Sequence, residues 1–77
     1  MGKKIKLIWD FFGEDSLATA KHHCIHLREF SQKENLNFHE IDSVSVTEAK
    51  AIAFITVDEL DMKIFRDALK PHRGALG

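Results

Sequence analysis

A single cysteine, Cys24, rules out an internal disulfide, so packing alone must hold the fold, and a reducing compartment suits it. The sequence has no CxxC pair, glycine-rich phosphate loop, dinucleotide fingerprint or serine-centred elbow, so no cofactor is expected. Its longest strictly apolar run, Ala51 to Ile55, is five residues, whereas a membrane helix needs about 20. Neither sign of charge dominates: 11 Lys and Arg stand against 12 Asp and Glu, a formal net charge of −1. That balance argues against nucleic acid as a partner, which calls for a distinctly basic domain or stripe. Met1-Gly2-Lys3-Lys4 leads straight into strand-like sequence with no signal-peptide core, so a cytoplasmic location is expected.

What is present is ordinary globular material. The 77 residues are 44% apolar and 30% charged, values that fit one folded domain and no second core. Lys4 to Phe12 alternates, with Ile5, Leu7, Trp9 and Phe11 on one face and Lys4, Lys6, Ile8, Asp10 and Phe12 on the other. A period of two in β-favouring residues predicts a strand. Gly13-Glu14-Asp15-Ser16 breaks it and offers Asp15 or Ser16 as a helix cap.

From Ser16 to Asn35 the spacing predicts a helix, with Leu17, Ala20, Cys24, Leu27 and Ser31 on the buried stripe and His23 and Phe30 at its margins. Thr19, His22, His26, Glu29 and Lys33 form the solvent face. Phe38 to Val46 is a predicted second strand and Ala51 to Val57 a third, covered on both sides. Asp58 and Asp61 have the spacing of a capping box, and Val57 and Met62 that of a hydrophobic staple. They open a second helix with Leu60, Ile64, Phe65, Ala68 and Leu69 on its apolar face. Pro71 ends this helix, and His72 to Gly77 is expected to be a frayed tail.

Strand, helix, strand, strand, helix predicts an α+β two-layer sandwich: a three-stranded antiparallel sheet, order 2-3-1, with two helices on one face. The topology resembles the ferredoxin-like fold lacking its last strand, and a shared fold carries no function. The missing strand leaves Lys4 to Phe12 as an open edge, and one sheet face has no helices to cover its apolar residues. A homodimer pairing edges or stacking sheets is therefore expected. If the chain is monomeric, His72 to Gly77 is expected to fold back along the first strand.

Three groups carry candidate chemistry. His22 and His26, four apart on a helix, are close enough to share a metal ion, with Glu29 as a third ligand. Cys24 sits on the buried stripe, which suits an inert core residue better than a nucleophile. Topology gathers Asp10, Glu14, Asp15, His72 and Arg73 at one end of the sheet, where they form a candidate site for a small polar ligand or acid–base work. The first reading is a non-catalytic homodimeric interaction or ligand-binding module. A small enzyme using Asp10, Glu14, His72 and Arg73 is the second reading, and a metal-binding protein using His22 and His26 the third.

Overall fold

The computed structural model describes residues 3–76. Alternation produces a strand, β1, at Lys4–Phe12, and the stripe of small and apolar residues produces a helix, α1, at Ser16–Lys33. Strands β2, at Glu40–Thr47, and β3, at Lys50–Asp58, follow, then helix α2 at Glu59–Leu69 and strand β4 at Arg73–Leu76. Gly13 makes the turn into α1 with φ of 111°, a conformation that side chains disfavour. Among the described residues no helix is long and apolar enough to cross a membrane.

The sheet has four antiparallel strands in the order β2-β3-β1-β4, not three. The residues expected to fray instead pair with β1, Ile5 opposite Leu76 and Ile8 opposite Arg73; Gly77 lies outside the described residues. The reason is the open edge itself. After α2, Lys70 turns the chain through a left-handed conformation, φ 47°, and the His72 N–H reaches the Ile8 carbonyl at 3.0 Å. Each further ladder bond satisfies backbone groups of β1 that would otherwise lie unpaired. β1 is thus an inner strand, and the edges are β2 and β4.

Leu7, Trp9, Ala51, Ala53, Ile55, Val57 and Ile41 point to one side of the sheet and pack with Ala20, Cys24 and Leu27 of α1 and Phe65 of α2. Phe30 joins the two helices by an edge contact with Phe65, centroids 5.5 Å apart. Buried Ser31 satisfies its hydroxyl on the Leu27 carbonyl at 2.8 Å, and the Trp9 indole N–H donates to the Leu69 carbonyl at the end of α2. Both helices therefore lie against the same face.

Three local expectations are corrected. β2 begins at Glu40, leaving Phe38 outside it. Asp58 begins α2 without a side-chain cap bond, because its carboxylate is taken by His39 Nε2 at 2.7 Å. On α2 the packed face is Met62, Phe65 and Leu69, while Leu60 is 89% exposed and Ile64 45%. The helix carries two apolar stripes, and its crossing over β1 and β3 decides which one is used.

Leu27 is fully buried on α1 and Ile25, on the same helix, is 55% exposed. Leu27→Ala is expected to cost about 2–5 kcal/mol and Ile25→Ala no more than about 0.5 kcal/mol, measured by urea unfolding. A Leu27→Ala protein as stable as its parent would mean that the wrong face of α1 has been assigned to the core.

Candidate functional site

Asp10 closes the polar end of β1. It points away from the helices, opposite Ile52 on β3, and β4 starts beside it. Arg73 grips it with two bonds, Nε to Oδ2 at 3.2 Å and Nη2 to Oδ1 at 3.1 Å. Lys50 Nζ lies 3.8 Å from Oδ1. The backbone N–H of Asp10 donates to His72 Nδ1 at 2.9 Å, which places the neutral imidazole's proton on Nε2.

The Arg73 hydrogen bonds hold the Asp10 carboxyl below its ordinary value of 3.8, against a smaller opposing effect of burial. A carboxylate so held stays ionised and is a weak proton acceptor. Chemically the group fastens β4 to β1. Topology thus brings together Asp10, His72 and Arg73 of the five candidate residues. Glu14 and Asp15 are exposed, and among the described residues no side-chain hydrogen bond or ion pair joins them to the other three. They lie in the turn into α1, where the Asp15 carbonyl accepts from the Thr19 N–H.

On the far side of α1, His22 Nε2 and His26 Nε2 approach to 3.0 Å. Glu29 reaches His26 at the other ring nitrogen, Nδ1, at 3.5 Å. It therefore orients His26 and is not placed as a third ligand. Among the described residues no group of three His, Cys, Asp or Glu side chains is arranged to hold a metal ion.

His23 lies where its place at the margin of the buried stripe puts it, half-buried against the sheet. Its ring lies 4.7 Å from Trp9 and 5.5 Å from Phe11 between centroids, and its Nε2 is buried without a hydrogen-bond partner among the described residues. Desolvation, reinforced by His26, His72 and His22, pushes its pKa below the ordinary 6.5. His39 with Asp58 is a pairing without a local signal, since the partners are 19 residues apart. Between α1 and β2, Lys21, Ile25 and Arg28 face Ile41, Asp42 and Ser43 across a shallow cleft of about 470 Å³. Cys24 also lines it, and burial, with the nearby Asp42, raises the thiol pKa. A thiol so placed is a poor nucleophile.

Comparison of the chain with protein-family models, curated proteins and solved structures gives no match.

Because the folded state disfavours protonated His23, the unfolded chain takes up this proton first as the pH falls. Stability should therefore decline as the pH drops below about 6.5, by at most about 1.4 kcal/mol per pH unit for one proton. His23→Leu should flatten that part of the profile, read by urea unfolding between pH 5 and pH 8. An unchanged slope in His23→Leu would contradict this role for His23.

Proposed function

We propose that this protein is a non-catalytic interaction module that works in the cytoplasm as a homodimer, through the sheet face that bears no helices. The observation that carries the reading is the composition of that face. Phe12 is 73% exposed and Val44 45%, with half-buried Ile52 of β3 between them, and no element of the described chain covers them.

The centre of the face is drier than its corner. Ile8 and Phe54 are only 6% and 7% exposed, partly because Lys6 Nζ lies 4.4 Å over the Phe54 ring. A second copy suits such a surface, because the face holds Lys6, Lys50 and Arg73 alongside Asp10, Glu40 and Asp42, and the chain's charge of −1 sets up little repulsion between copies. Four strands about 4.8 Å apart and about seven residues long give a patch of roughly 450 Å² per copy, about 900 Å² for the pair, below the range of stable interfaces and within that of weak, transient ones. Micromolar association is expected. We read the fold as ferredoxin-like, on the support of its βαββαβ element order and the β2-β3-β1-β4 sheet. The buried free thiol of Cys24 suits a reducing location.

The 3.0 Å approach of the two Nε2 atoms favours a second reading, in which His22 and His26 share a divalent transition metal. Glu29 would then steady His26 through Nδ1, the role such carboxylates play behind metal-bound histidines. Nickel or zinc at tens of micromolar should then raise the thermal midpoint, because a ligand that binds only the folded state stabilises it. His26→Ala should abolish the rise, and a midpoint that does not move with metal rejects this reading.

Light scattering at high micromolar concentration should give twice the 8.8 kDa chain mass. Phe12→Lys should shift the protein toward monomer, whereas Leu60→Lys on α2 and His26→Lys on α1 should leave it dimeric. A wild-type mass of 8.8 kDa in a soluble, folded sample rejects the dimer, and dissociation by Leu60→Lys alone would move the interface to α2.

A further inference from the structure

We infer, resting on the dimer proposed above, that the two copies stack with their two-fold axis parallel to the strands, so that Asp42 of each copy pairs with Arg73 of the other. The strand register arranges the helix-free face in rows. One row runs Asp42, Phe54, Ile8, Arg73 from β2 to β4. The next toward the start of β1 runs Glu40, Thr56, Lys6, Ala75, and the next toward its end runs Val44, Ile52, Asp10. The face is therefore acidic at its β2 margin and apolar at its centre, with Lys6 on β1 and Arg73 on β4, the latter shared with Asp10.

A two-fold axis lying between two stacked sheets has two simple orientations. Parallel to the strands, it lays β2 over the partner's β4 and β3 over the partner's β1, and keeps each row at its own height. Asp42 then meets the partner's Arg73, Phe54 meets the partner's Ile8, and Glu40 lies one strand from the partner's Lys6, each twice by symmetry. Perpendicular to the strands, the axis stacks each strand on its own copy. Through the central row it sets Asp42 on Asp42 and Arg73 on Arg73; through the next row it sets Asp10 on Asp10. Opposed like charges disfavour these arrangements.

The pairing also uses capacity that the single chain leaves over. Arg73 gives Nε and Nη2 to Asp10, and its other terminal nitrogen, Nη1, has no partner among the described residues. Asp42 accepts the Ser43 N–H on Oδ1 at 2.7 Å and keeps Oδ2 free among them. Asp42 is exposed at the rim of the sheet, where it also borders the cleft between β2 and α1. Stacked sheets cross at about 30°, which displaces the outer strands by roughly 4 Å, within the reach of an arginine side chain.

Complementation between two charge reversals tests the geometry. Asp42→Arg alone and Arg73→Glu alone each oppose like charges twice across the axis, and each should weaken dimerisation at least tenfold in sedimentation velocity. Mixed in equal amounts they should form a heterodimer of near wild-type strength, holding one native pair and one reversed pair. Native mass spectrometry identifies that mixed species. Because Arg73→Glu also removes the clamp on Asp10, circular dichroism checks its fold, and Glu40→Lys with Ala75→Glu provides a second complementing pair that leaves the clamp intact. A dimeric wild type whose variant pairs fail to complement overturns this axis while the dimer stands. A monomeric wild type overturns both.

Discussion

The structure depends on β1 being hydrogen-bonded along both sides. Its nine residues pair throughout with β3, and four of them pair also with β4. A strand in that position divides the molecule. Ile5, Leu7, Trp9 and Phe11 must face the helices, and Lys6, Ile8, Asp10 and Phe12 must face away from them. A slip of one residue would exchange the two sets and put Lys6 and Asp10 into the core. The tie between β1 and β4 is reinforced where the chain returns: Trp9 holds the end of α2, and Asp10 holds His72 and Arg73. The charged cluster at the end of the sheet therefore belongs to the closure of the fold.

That closure also sets the electrostatics. Arg73 keeps Asp10 ionised, so its contribution to stability is present above the ordinary carboxylate range and is lost as the pH falls through it. His23 works in the opposite direction. Packed against Trp9 and Phe11, it stays neutral where a free imidazole would be protonated. Both groups make the fold weaker in acid, His23 in mild acid and Asp10 only in stronger acid.

Features set by local period were legible in the sequence. The alternation of β1 groups Leu7 with Trp9, and the Ala20, Cys24, Leu27 stripe names the buried side of α1; the structure buries all five, although Ile8 on the other face of β1 is buried as well. Element order then brought Asp10, His72 and Arg73 to one end. β4 was hidden because Arg73-Gly74-Ala75-Leu76 has no alternation of its own; it is a strand only because β1 offers an edge. The packed face of α2 was hidden for a related reason. Leu60 and Ile64 are as apolar as Phe65 and Leu69, and only the crossing against the sheet separates them. His39 captures Asp58 from 19 residues away, which no capping pattern could anticipate. Glu14 and Asp15 share the same end of the chain's first strand, but nothing in their spacing shows that the turn into α1 carries them away from Asp10.

What remains is a sheet with one face spent on its own helices and the other left with apolar residues between margins of opposite charge. The proposed function requires that second face to meet its own copy. Amide shifts followed by NMR while the protein is diluted from high to low micromolar concentration test this most directly. Movement is expected at Ile8, Phe12, Asp42, Val44, Ile52, Phe54 and Arg73, with His22 and His26 on α1 and Leu60 and Ile64 on α2 unmoved. Shifts confined to the helices, or no concentration dependence at all, would contradict it.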